Sequence, residues 1–545
     1  MKLLYLLIFF PFFVLASPYY DYIMCRYLSD KPEEAEMYCL QALEEKPTPS
    51  LYMDTIKLEI ALGNREKALM LAEDYIREYP DIVESYVALY SIYRVEGERK
   101  KALEVLEKAY KLFPSNKEIL IFLADEYIKE NRINKALEVL KRFASLNPDN
   151  PFPYYLLGQL YLNQGDIDTA IEYLQKALSI KKSFEAAFVT LGKIYEKKEE
   201  FGKAEELYKE ILKESPENRI ALEKLAQLYM ATGRTEEAKE LYKKLYELYP
   251  FNYQYKHQYA ITLMQASQFT EAKKLLEDLY KKYPDDINIS YSYALSLELT
   301  GDPEKARRIY EKLLKKLPKN QKIMERLANV YIMTKEYEKA GKLIEKGLFL
   351  NPTNIKFYIL KANLFIEKKD YKSAVEILDK VISINPREYR VYFLKAIALD
   401  HIDRIKEAEK NLRKAIEINP KDPDLYNHLG YSLLLWYGDK RVEEAKKLIE
   451  KALSMEPENA AFIDSMGWVY YLEGDYTRAI QYLLDALRRV YDDPVVNEHV
   501  GDVLLKLGFP KQARNYYLRA MDLLEKGKEG ERNQKERLLE KLRQL

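Results

Sequence analysis

An all-α solenoid of about fifteen helix-turn-helix repeats is the fold class that the sequence predicts, and three regularities predict it. Alanine recurs at positions 68, 102, 136, 170, 204, 238, 272, 306, 340, 374 and 408, an unbroken 34-residue period. Ala35 precedes this series, and Ala445, Ala479 and Ala513 continue it after one 37-residue step. Proline stands twelve residues after most of these alanines, from Pro47 and Pro80 to Pro420 and Pro457. Twelve residues before the alanine comes a small residue, as in Ala124, Gly158, Gly192 and Ala226, and three further on a large one, as in Tyr127, Tyr161, Tyr195 and Tyr229. A period of this length marks one supersecondary unit, stacked because no single copy can bury its own apolar face.

Within a repeat the elements follow in order. Apolar residues at helical spacing, such as Leu156, Leu157, Leu160 and Tyr161, define a first helix. Breakers such as Gly165-Asp166, Gly233-Arg234, Gly301-Asp302-Pro303 and Gly474-Asp475 stop it and cap the next. Ile171, Leu174, Ala177 and Leu178 define the second helix, and the terminal proline, with fixed φ and no amide hydrogen, ends it. Local departures are Lys182, Tyr491 and Glu525 in place of proline, and three extra residues within Leu435–Arg441.

This pattern resembles the tetratricopeptide repeat family over about residues 18–525. The resemblance implies a right-handed superhelix whose first helices line a concave groove. The predicted organisation is a signal peptide at 1–16, a solenoid at 17–525 and a C-terminal capping helix at 526–545, with helical spacing at Leu538, Leu539 and Leu542.

The signal peptide rests on Met1-Lys2, an apolar run from Leu3 to Leu15 and the small-residue exit Val14-Leu15-Ala16. The run is short for a membrane span, which needs about 20 residues, and no later segment could cross a bilayer. An exported protein of the periplasm or cell envelope is expected, without a transmembrane span after cleavage; the alternative is an uncleaved anchor. In an oxidising compartment Cys25 and Cys39, on opposite helices of the first repeat, are candidates for a disulfide, against the alternative of two buried thiols.

Charge is balanced, with 87 basic and 87 acidic residues, and no basic block stands out, which argues against nucleic acid as a partner. Most of the 48 tyrosines are expected to fill inter-helix space. No phosphate loop, nucleophile elbow or zinc helix is present, and His257, His401, His428 and His499 fall in four different repeats. Neither catalysis nor a cofactor or metal is expected.

The groove carries the better signal. Residues three before, one after and four after the small residue lie on a face separate from the core. In the middle repeats that face includes Met230, Met264 and Tyr291; near the C-terminus it includes Tyr431, Leu434, Asp464, Trp468 and Tyr471. Surface helices place Lys and Glu there, so apolar and aromatic residues mark candidate partner-binding surfaces for proteins or extended peptides.

A narrower resemblance covers about 100 residues. Leu429-Gly430-Tyr431-Ser432-Leu433, then Asp464-Ser465-Met466-Gly467-Trp468, then His499-Val500-Gly501-Asp502-Val503 are similar to a signature of large tetratricopeptide proteins of the Gram-negative envelope. Some of those are adaptors that bring carboxyl-terminal processing proteases to substrates such as cell-wall hydrolases. Many are lipoproteins, and this chain lacks a cysteine at the expected cleavage site. The resemblance implies a non-catalytic envelope scaffold with a periplasmic protease and cell-wall hydrolases as partners. The alternative is a scaffold for polysaccharide synthesis or export, or for outer-membrane assembly.

Overall fold

The computed structural model describes residues 18–528 and 530–545, so the predicted signal peptide lies outside the described residues. Among these residues there are helices and no strand. Each repeat is an antiparallel pair, beginning with Pro18–Tyr27 and Pro32–Glu45 and closing with Pro494–Lys506 and Pro510–Glu525. Two compact units divide after Ala266. The first ends with helix Tyr253–Gln265; the second opens with Phe269–Lys282 and ends with a single further helix, Gln534–Gln544. No described helix is long and apolar enough to cross a membrane.

Where the small residue of a first helix is Gly158, Gly192, Gly467 or Gly501, it faces a specific side chain sixteen positions on, and Gly430 faces Ile449, nineteen on, across the insertion. A Cβ on Gly192 would fall 2.0 Å from the Tyr208 hydroxyl, and one on Gly501 would fall 2.4 Å from Tyr517 Cε1. Both tyrosines are fully buried, so the missing side chain is filled by a ring from the second helix. The periodic alanines are buried in the same way, from Ala68 to Ala513.

The turn inside the repeat also keeps the period. Gly63, Gly97, Gly165, Gly233 and Gly301 adopt left-handed φ, and the same register is held by Asn131, Glu199, Ser267, Lys335, Lys369 and Asp403 at φ between 56° and 60°. A left-handed residue is therefore built into the turn whether or not glycine supplies it. After it, Asp166, Asp370 and Asp475 cap the second helix, whereas Arg234 and Asp302 make no capping bond.

The stronger caps lie at the repeat boundary. Two residues after the terminal proline, Asn116, Asn150, Asn218, Asn252, Asp286, Asn320, Asn354, Asp422 and Asn459 each accept a backbone N–H from the first turn of the next helix. Proline stops one helix and the Asn or Asp begins the next. Where the thirteenth repeat carries its three extra residues, the chain forms the four-residue 3-10 turn Gly438–Arg441, and Trp436 Nε1 donates to Asp400 Oδ1 at 2.6 Å.

The tyrosines do structural work in recurrent ways. The hydroxyls of Tyr86, Tyr358, Tyr392 and Tyr426 each donate to the carbonyl of the proline six residues before, at 3.1–3.2 Å. Tyr127 and Tyr331 donate to Glu107 and Glu311 of the preceding second helix, at 2.8 and 2.9 Å. Ring area fills the core while the hydroxyl finds an acceptor near its edge. In the first repeat Cys25 and Cys39 are joined by a disulfide.

Candidate partner-binding site

Three successive first helices in the second unit, Pro423–Tyr437, Ala460–Leu472 and Pro494–Lys506, bring together residues 35 to 68 positions apart. Their centre is His499, buried to 3% exposure. Its Nδ1 lies 3.0 Å from both Asp464 carboxylate oxygens, and its Nε2 lies 3.2 Å from the Tyr431 hydroxyl. Trp468 stacks on the imidazole at 4.2 Å between ring centroids and 21° between planes, and Tyr471 stacks on Trp468 at 4.5 Å.

Burial alone would push the His499 pKa down. The Asp464 carboxylate outweighs it, with help from Glu531 and Asp502, and lifts the pKa to about 9. His499 is therefore an imidazolium at neutral pH, with both ring N–H groups donating and the indole face set against a cation. Its neighbour Tyr431 then accepts from Nε2 and donates its own proton to Glu531 Oε1. Burial, with the Glu531 charge beside it, keeps that phenol protonated. The result is a hydrogen-bonded relay of carboxylate, imidazolium, neutral phenol and carboxylate.

Glu531 belongs to the segment after the last repeat. From Glu525 the chain turns back, Asn533 takes a left-handed conformation, and helix Gln534–Gln544 follows. Leu538 is fully buried against Ala513, Tyr517, Ala520 and Met521. The opposite pull is ionic. Arg537 donates to both oxygens of Glu498, at 3.3 and 3.1 Å, and to Glu531 at 2.7 Å. Lys541 reaches Glu498 at 2.8 Å and Asp502 at 2.6 Å, while Tyr517 donates to Asp502 at 2.7 Å. Further along the surface, Arg532 pairs with Asp403 at 3.1 Å across 129 residues of sequence. Burial would raise the Glu498 pKa, but Arg537 and Lys541 more than offset it and hold it below the ordinary value.

The predicted site residues are thus distributed unevenly. Tyr431, Asp464, Trp468 and Tyr471 converge on one point. Asp464 is buried and engaged with His499, so it organises the site from beneath and is not an open contact. Leu434 is a correction: it is 3% exposed in the core with Leu433 and Ile449, and Leu435 faces solvent instead. In the middle repeats, Met230 and Met264 are half-buried on first helices of the first unit, Met230 against that unit's core. Tyr291, in the second unit, meets Tyr310 edge-on at 5.9 Å.

His499, Glu498, Asp502 and the tail cations were not singled out from sequence as site residues. The face rule applied to Gly501 places Glu498 three before it and Asp502 one after, so these two were within reach. His499 sits two before Gly501, off that face; it stands in the envelope-type signature, but its contacts with Asp464 and Trp468 appear only once the helices pack.

Elsewhere, a cleft of about 780 Å³ in the first unit lies between second helices and is lined by Gln175, Tyr195, Lys198, Glu206 and Glu210. Lys182 on its rim pairs with Glu210 and Glu214 at 3.0 and 2.9 Å. It contains none of the predicted site residues. Among the described residues no group of three or more His, Cys, Asp or Glu could hold a metal ion.

Comparison with known families agrees with the repeat architecture. Two tetratricopeptide repeat profiles match, one at residues 297–364 and 365–429, the other at 260–320 and 434–494. The profile of the tetratricopeptide repeat protein 21 C-terminal ARM domain matches residues 82–254. These matches support the tetratricopeptide repeat class for the chain. Among solved structures, the APC/C hetero-tetramer Cut9-Hcn1 is similar at 18% identity and TM-score 0.42, over 91% of this chain and 98% of that one. A tetratricopeptide repeat protein from Parabacteroides merdae is similar at 19% identity and TM-score 0.38, over 46% of this chain and 98% of that one. No curated protein matches the chain.

Proposed function

We propose that this protein is a non-catalytic scaffold of the cell envelope, an adaptor that presents substrates to a periplasmic processing protease. Repeats of this class suggest a protein-protein interaction scaffold. The observation that carries the reading further is the Tyr431, Asp464, Trp468 and His499 constellation. Residues of the envelope-type signature from three repeats converge on one built site, in which a buried aspartate and a stacked indole fix a charged imidazole. Such preorganisation suits recognition of a specific segment. Export is supported by the Met1–Ala16 pattern and by the Cys25–Cys39 disulfide, a bond that persists in oxidising compartments. A scaffold that holds protease and substrate together raises their effective concentration without any chemistry of its own.

The test is a reconstituted digestion. A purified carboxyl-terminal processing protease and a cell-wall hydrolase substrate are mixed with and without the chain processed after Ala16. Faster cleavage with the chain, lost in Trp468→Ala, is expected. Equal rates in both mixtures would overturn the adaptor reading, and unprocessed chain recovered from the cytosol would overturn export.

A further inference from the structure

The tail meets its repeats through paired opposite charges on both sides. Its first acidic residue, Glu531, sits on the Tyr431 hydroxyl beside the His499 imidazolium. Its two cations four residues apart, Arg537 and Lys541, lie on one helix face and meet Glu498 and Asp502, also four apart on one face of Pro494–Lys506. Gln534 closes the join, donating to the Pro494 carbonyl at 2.9 Å and accepting the Glu531 amide at 3.0 Å. Leu538 and Gln534 are buried, Leu542 packs beside Leu538, and Arg537 and Lys541 are half-buried, keeping 39% and 27% of their side-chain surface. The tail is thus seated as a ligand would be, by a short complementary pattern on a built surface.

We infer that the first-helix surface around Tyr431, Glu498, His499 and Asp502 is a docking site for a short partner helix, one with an acidic residue before its first turn and two basic residues four apart. The chain's own residues 530–545 are its resident occupant and leave when such a partner binds. This deepens the scaffold reading, since it names what the C-terminal repeats recognise, but it stands independently of any protease. A tether of this length gives the resident segment a millimolar effective concentration. A partner must therefore outcompete it, and the free site is held in reserve.

The test uses the full chain and a fluorescent peptide of residues 530–545. Arg537→Glu with Lys541→Glu, made in the chain only, sets four carboxylates against one another and ejects the resident tail. Binding of the unaltered peptide by fluorescence anisotropy is expected to tighten at least tenfold relative to the unmodified chain, at unchanged helix content. A peptide carrying the same two reversals should not bind. Equal or weaker binding of the unaltered peptide by the folded variant would overturn the inference. If the variant fails to fold, amide hydrogen exchange on the unmodified chain decides. Exchange in 534–544 at least a hundredfold faster than in Pro494–Lys506 supports a displaceable occupant. Equal rates would make the tail a fixed part of the last repeat and overturn it.

Discussion

Asp464→Asn removes one negative charge from beneath His499 and keeps the shape of the side chain. The gap between a pKa of about 9 and the free imidazole value of 6.5 corresponds to about 3 kcal/mol of interaction between the charged ring and its surroundings. Because the folded value is raised, this stabilisation is complete below pH 6.5 and is lost as pH climbs through 9. Asp464, Glu531 and Asp502 supply the negative field, and Tyr431 stays protonated across that window. Because Glu531 and Asp502 remain, the variant should be less stable at pH 6 by up to about 3 kcal/mol, with the difference shrinking as pH climbs through 9. Urea unfolding followed by tryptophan fluorescence suits the measurement, since the only two tryptophans, Trp436 and Trp468, lie in adjacent repeats of this region. An equal loss at both pH values, or a flat profile for the unmodified chain between pH 6 and 9, would refute an imidazolium held by Asp464.

Other perturbations follow from the same packing. Gly501→Val would push Tyr517 off its bond to Asp502 and cost about 1–3 kcal/mol, read as a lowered urea midpoint of the tryptophan transition. Glu199→Gly relieves a left-handed residue at φ 58° and should raise stability by about 0.5–1 kcal/mol, read by circular dichroism melts of the full chain. Reduction of Cys25–Cys39, which spans 14 residues, should cost about 3 kcal/mol locally and speed amide exchange in Pro18–Tyr27. Lys541→Ala leaves the buried Glu498 with Arg537 alone and should speed exchange in the tail helix at least tenfold, as measured by mass spectrometry.

The repeat was legible because its period is a property of composition at fixed positions. Alanine at close approaches, proline at boundaries and breakers at turns each follow from local backbone physics. The Pro-x-Asn/Asp cap was equally local and could have been read from Pro114-Ser-Asn116 or Pro148-Asp-Asn150. The site was legible only in part. Tyr431 and Trp468 stand out because aromatic residues are costly on an exposed helix face. Leu434 misled because the position four after the small residue is turned into the core in other repeats too, at Glu298 and Ile332, while Leu435 faces outward. The tail was out of reach for a different reason. Its partners lie 39 to 129 residues away, and no periodic rule relates a repeat position to a segment outside the repeats.

The most direct test of the central claim, that the chain's own tail fills the site around His499, is zero-length carbodiimide coupling of the unmodified monomer followed by mass spectrometric mapping. An amide between Lys541 and Glu498 or Asp502, formed within one chain and lost in the unfolded protein, is the predicted result. Lys541 coupled only to glutamates of its own helix, or only to a second copy, would contradict it.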